Sequence, residues 1–135
     1  MVTSSKTVGE LKAPCLFCNL LLDRIIASNS LGLVIRDGFP VSEGHTLIIP
    51  KRHTGSFFEL TGAEREGLFD LLSQSRNELI KTYNPDGFNI GINDGSAAGQ
   101  TVPHLHIHLI PRFKGDMKDP QGGVRWIFPD KAKYW

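Results

Sequence analysis

Pro103-His104-Leu105-His106-Ile107-His108-Leu109-Ile110 alternates imidazole and aliphatic side chains. Period-two alternation predicts a β-strand, because successive side chains of a strand point to opposite faces. One face would join an apolar core, and the other would carry three of the chain's five histidines. Residues two apart on a strand are separated by about 6.6 Å, which puts His104 and His108 about 13 Å apart at the backbone. Zinc needs each ligand nitrogen within about 2.1 Å, so one ion does not comfortably take all three. A cupin-like or oxygenase-like site would add a carboxylate and a distant histidine, but no histidine follows His108 and no glutamate follows Glu78. Imidazole chemistry on an electrophile remains. Neutral imidazole, with an unperturbed pKa of about 6.5, is a competent nucleophile near pH 7. Its attack on phosphorus gives a phosphoramidate that water then cleaves. In this reading His106 is the nucleophile, a backbone carbonyl fixes its tautomer, and His104 and His108 orient and protonate. His108 would donate to phosphate oxygens or the leaving group.

The rest of the chain predicts an α+β fold with an antiparallel sheet. Leu16 to Ile26, apolar on most sides, reads as a short buried helix. Leu33–Arg36 and His45–Ile49 read as strands, closed by Asp37-Gly38 with Pro40 and by Pro50 respectively. Thr61 and Glu64 form a capping-box pattern ahead of Leu68, Leu71, Leu72, Leu79 and Ile80, which predicts the long helix. Asn84-Pro85-Asp86-Gly87 ends it, Phe88–Ile92 alternates as a strand, and Pro111 is expected to stop the histidine strand. The domain is placed at residues 15–112, after a mobile segment 1–14. A tail, 113–135, is expected to pack on the domain or a partner through Trp126, Tyr134 and Trp135.

Fifteen Lys and Arg against fourteen Asp and Glu, dispersed along the chain, give no basic stripe for nucleic acid. No stretch approaches a membrane span, and the opening residues lack the apolar run of a secretory signal. Two cysteines three positions apart cannot staple a fold, so a reducing cytoplasm is the expected location.

Asn93-Asp-Gly-Ser-Ala-Ala-Gly-Gln100-Thr101 has the composition of an anion cradle. Small residues let backbone N–H groups approach, and Gln100 and Thr101 add side-chain donors. Arg112 is placed to screen phosphate charge beyond the strand. Cys15-x-x-Cys18 has three readings: buried thiols, a redox pair, or half a zinc site that His53 and His104 would complete if the fold brings them together.

The run from Gly99 to Pro111 resembles the signature of the histidine triad superfamily. The resemblance extends through Asp37, Gly44-His45-Thr-Leu-Ile-Ile-Pro50 and Asn93. It implies a five-stranded antiparallel sheet, a homodimer, and nucleotidyl transfer to His106. It further implies that Asp37 binds ribose, with Phe17, Leu22 and Ile35 around the base. Asn93, Gln100, Thr101 and His108 would hold the α-phosphate, with His45 backing the triad. Ile110-Pro111-Arg112 is more like the dinucleoside-polyphosphate branch, the fragile-histidine-triad group, than the phosphoramidase branch. The expected substrate is thus a dinucleoside polyphosphate such as diadenosine tetraphosphate. The alternatives are a nucleoside phosphoramidate, or a nucleotide-binding regulatory module with little turnover. Related proteins carry a structural zinc at positions matching Cys15, Cys18, His53 and His104. The chemistry requires no catalytic metal, although magnesium is compatible with a polyphosphate substrate.

Overall fold

The computed structural model describes residues 15–135; the expectation for residues 1–14 lies outside them. Five strands form one antiparallel sheet in the order β1-β2-β3-β5-β4. They are β1 (Ile25–Ser28), β2 (Gly32–Arg36), β3 (Thr46–Pro50), β4 (Gly87–Gly91) and β5 (Ile107–Arg112), with a single long helix, α1 (Gly62–Tyr83), between β3 and β4.

Helix α1 starts where its capping box predicts. The Thr61 side chain accepts from the Glu64 N–H, and the Glu64 carboxylate accepts from the Thr61 N–H. It ends at Asn84, which takes the left-handed conformation at φ 50° just before Pro85. Leu68, Leu71 and Leu79 point from it into a core shared with Val34, Ile48, Leu105, Ile107 and Leu109. Gly32 permits that approach, because a Cβ there would lie 2.5 Å from a Leu68 methyl.

The opposite face of the sheet is also covered. Cys15, Phe17 and Leu20 pack on Leu33, Ile35, Leu47 and Ile49. All five residues of β3 are consequently buried, the pattern of a strand enclosed on both faces.

Two sequence expectations need correction. The stretch expected as a short helix is a turn at Leu16–Asn19, a 3-10 turn at Leu22–Arg24, and then β1. Hydrogen bonding to cysteine wins over helical propensity here: the Cys18 N–H donates to Cys15 Sγ at 3.3 Å, and Asn19 Nδ2 to the Cys15 carbonyl at 2.8 Å. The β-branched pair Ile25-Ile26 then favours strand.

The histidine strand is shorter at one end and longer at the other than its alternation predicts. Its ladder begins at Ile107, so His104 and His106 precede it, and Pro111 lies within it opposite Phe88. Proline is tolerated because the pairing of β5 with β3 stops at Leu109, leaving no partner there for the missing N–H.

The tail folds through short turns. Lys133 pairs with Asp119 at 3.7 Å, Arg125 stacks over Tyr134 at 5.0 Å, and Gly123 comes close to Asn89 of β4. No helix among the described residues is long and apolar enough to cross a membrane.

Candidate functional site

The three histidines, adjacent in sequence, enter two different environments. His104 is 1% exposed, and its Nε2 lies 2.9 Å from the Pro50 carbonyl. A carbonyl only accepts, so Nε2 carries the proton and the Nδ1 lone pair points the other way. That lone pair faces Cys15 Sγ and Cys18 Sγ at 3.4 Å each, and His53 Nδ1 at 3.1 Å. Cys18 Sγ is 3.2 Å from His53 Nδ1, and all four ligand atoms lie within 4.8 Å of one another.

Tetrahedral zinc at about 2.05 Å from nitrogen and 2.3 Å from sulfur spaces its ligand atoms about 3.3–3.8 Å apart. The cluster is close to that spacing, and it gathers two imidazole nitrogens, that of His104 bearing a lone pair, with two soft sulfurs. These donors fit a structural zinc, with the Pro50 carbonyl holding the His104 tautomer as an outer partner. Burial pushes His104 below its ordinary pKa, opposed by the Pro50 contact, so the ring is kept in its ligating neutral form.

The loop that carries His53 is fastened by a pair that sequence reading missed. Arg52 donates from Nε and a terminal nitrogen to both Glu64 oxygens at 2.8 Å. The Arg52 hydrogen bond, reinforced by Thr61, holds the Glu64 carboxyl down at about 2. Its signal was the capping-box glutamate itself, which has a second oxygen to spare.

His106 and His108 open instead into a cleft of about 430 Å³. His106 Nδ1 lies 2.9 Å from the His104 carbonyl. It must therefore donate, which leaves a lone pair on Nε2. His106 also packs edge-on against Phe17, ring centres 5.0 Å apart.

A chain of contacts sets the His108 tautomer from behind. The Val41 N–H donates to His45 Nδ1 at 3.2 Å, so neutral His45 bears its proton on Nε2, 2.9 Å from His108 Nδ1. His108 Nδ1 accepts, and its remaining N–H, on Nε2, is free to act as a donor. Burial above all, then the neighbouring His106 and His45, push His108 down to about 4 against the opposing pull of Asp37. Burial likewise lowers His45, partly offset by Asp37. Gly44, at φ 88°, makes the turn that delivers His45.

Of the residues expected to bind substrate, Asp37, Asn93, Thr101 and Phe17 line the cleft. The Asp37 carboxylate is already engaged, accepting from the Phe39 N–H at 2.8 Å and lying 3.4 Å from His45 Nε2.

Four expected contacts are not brought to the cleft. Ile35 is completely buried in the core beneath it, and Leu22 is half exposed outside it. The Gln100 amide is spent on Gly95, Gly55 and Val102, fastening the loop rather than facing a ligand. Arg112, four residues past His108 along β5, grips both oxygens of Asp116 and also Asn89. Conversely, Arg24, Phe39 and Leu47 line the cleft and were missed. Gly38-Phe39-Pro40 carried only a turn signal, and Arg24 sat in a stretch read as helix.

The HIT domain pattern matches residues 22–115. The chain belongs to the HIT family. An uncharacterized HIT-like protein of Mycoplasma genitalium is 36% identical over 104 residues, covering 74% of each chain. The asymmetrical bis(5'-nucleosyl)-tetraphosphatase of Schizosaccharomyces pombe is 41% identical over 59% of this chain and 44% of its own length. The chain thus spans less than half of that enzyme. Among solved HIT structures, a Bacillus anthracis protein superposes with a TM-score of 0.71 at 36% identity, covering 76% of both chains. A zinc-bound histidine triad protein from Mycobacterium smegmatis gives 0.69 at 33%, covering 78% of this chain and 80% of its own. Cys15 and Cys18 lie ahead of the HIT match, so the metal-compatible cluster joins the domain to the segment before it.

Proposed function

We propose that the protein is a nucleotidyl hydrolase that cleaves a dinucleoside polyphosphate at the α-phosphate through a His106 adduct. The observation that carries this reading is the tautomer of His106: with Nδ1 tied to the His104 carbonyl, Nε2 presents a lone pair to the cleft. In the first step Nε2 attacks the α-phosphorus and the bond to the bridging oxygen breaks. The remaining phosphate leaves with that bond's electron pair. His108 donates its Nε2–H to the bridging oxygen, while Asn93, Thr101 and His108 surround the phosphate. In the second step water attacks phosphorus, the P–N bond breaks and its electrons return to His106. The water proton goes to solvent or product phosphate, and a nucleoside monophosphate is released. Asp37 would bind the ribose.

The state of His108 favours a polyphosphate over a phosphoramidate. His45 donates to its Nδ1, so His108 stays neutral, a hydrogen-bond donor rather than a strong acid. A departing phosphate is stable as an anion, whereas a departing amine needs a full proton. The yeast tetraphosphatase among the relatives supports the same choice.

Zinc held by Cys15, Cys18, His53 and His104 would supply a closed structural centre with no open position for substrate. We also place the protein as a homodimer in the cytoplasm. The edge strand β4 carries Ile90, 55% exposed, as one apolar contact for a second copy, and sedimentation tests the dimer.

The function is tested with purified His106→Asn. Wild type should hydrolyse diadenosine tetraphosphate, and the variant should lose at least about a thousandfold in rate while still binding the nucleotide. Equal turnover by both proteins, slow on every nucleotide tried, would favour the regulatory binding module. Faster wild-type cleavage of a nucleoside phosphoramidate than of the polyphosphate would favour the phosphoramidase.

A further inference from the structure

Arg24 is a cation in the cleft that the proposed chemistry does not use. One terminal nitrogen donates to the Arg36 carbonyl at 3.0 Å, which tethers the side chain, and lies 4.0 Å from where a Cβ on Gly38 would sit. None of the ion pairs among the described residues involves it. A guanidinium has five N–H donors in a rigid plane, so most remain available to a ligand. The adjoining wall is apolar, built from Leu16, Phe17 and Leu47, with Phe39 exposed at the rim. The Asp37 carboxylate turns towards His45 and His108 instead, at 3.4 and 4.0 Å. The cleft therefore has a phosphate end at the histidines and, beside the Gly38 turn, an apolar slot edged by a half-buried, tethered donor fork.

We propose that this slot holds the nucleobase and that Arg24 reads its edge, selecting guanine over adenine nucleotides. The inference rests on the nucleotide reading above and names the base that reading leaves open. Guanine offers two in-plane acceptors, O6 and N7, matched to the arginine fork. Adenine puts an amino donor in place of O6, so one of the two contacts becomes donor against donor. Pyrimidines have no N7.

The test is calorimetric titration of the whole protein with GMP, IMP, 7-deaza-GMP and AMP. Wild type should bind GMP and IMP, which share O6 and N7, at least about tenfold more tightly than AMP. The 7-deaza compound should lose most of that advantage. R24A, and R24K, which keeps the charge but not the fork, should bring the GMP-to-AMP ratio within about twofold by weakening GMP alone. Melting curves establish that both variants are folded.

A wild-type ratio within about twofold, or a ratio unchanged in both variants, overturns the proposal. So does a loss equal for both bases that grows from mono- to triphosphate, since Arg24 would then serve distal phosphates. Binding of no nucleotide at all by wild type would sink the functional reading itself, an outcome distinct from loss of base preference.

Discussion

Two clusters of potential ligand atoms lie on either side of His106, and distance alone does not tell them apart. Cys15, Cys18, His53 and His104 form one; Asp37, His45 and His108 form the other, with the spacing of a two-histidine, one-carboxylate metal site. Proton placement separates them. In the first, the Pro50 carbonyl takes the His104 Nε2–H, so the His104 Nδ1 lone pair faces His53 Nδ1 and both sulfurs, a donor set that a cation fits. In the second, the Val41 N–H claims His45 Nδ1, so the proton sits on Nε2, between His45 and His108. A metal there would have to displace that proton. The first cluster offers donors that fit an ion and the second holds a tautomer, and hydrogen bonds one step behind the ligand atoms make the difference.

The largest expected effect breaks the first cluster. Cys15→Ser should purify without stoichiometric zinc by metal analysis and lose at least about 10 °C in melting temperature, since structural zinc binding is coupled directly to folding. Wild type with no zinc and full thermal stability would refute the assignment.

A second prediction uses the other cluster's protons. His108 stands at about 4 in the folded chain and ordinarily near 6.5, so between those values the unfolded chain binds the proton and the folded chain does not. Its contribution is fully present above about pH 6.5 and is lost as pH falls towards 4, by about 3 kcal/mol. Denaturant titrations of wild type and His108→Asn should differ in slope across that window. Parallel curves would mean that His108 is not held neutral.

Next in size, His45→Ala should lower kcat roughly tenfold, the worth of one orienting hydrogen bond, and leave zinc content unchanged. His45→Gln, which retains an N–H towards His108, should recover part of that loss. The smallest effect is expected at Arg112. Its guanidinium is occupied by Asp116 and Asn89, so Arg112→Leu should change kcat/KM by less than about twofold. A large loss would show that it leaves Asp116 to reach substrate.

These contrasts explain what could be read from the sequence. Alternation exposed Leu105, Ile107 and Leu109 as core and placed imidazoles opposite, and the Thr61 and Glu64 pattern located α1. Both signals are local and periodic. The Leu16–Ile26 stretch failed as a helix because Cys15 takes the Cys18 N–H and the Asn19 amide into a turn and Ile25-Ile26 enters β1, while Cys15 itself is held against a histidine 89 positions away. Gln100 and Arg112 had suitable side chains, but their availability depended on Gly95, Gly55, Val102, Asp116 and Asn89, partners that composition does not reveal. Arg24 was hidden for the same reason: only the fold brings β1's approach against the Asp37 turn.

The proposed chemistry turns on a covalent bond to one nitrogen. Wild type mixed with diadenosine tetraphosphate, quenched within milliseconds under alkaline denaturing conditions and digested, should give a peptide containing His106 heavier by one adenylyl group. The His106→Asn protein should give none. An adduct on His104 or His108, or turnover at full rate with no adduct at any quench time, would contradict the account.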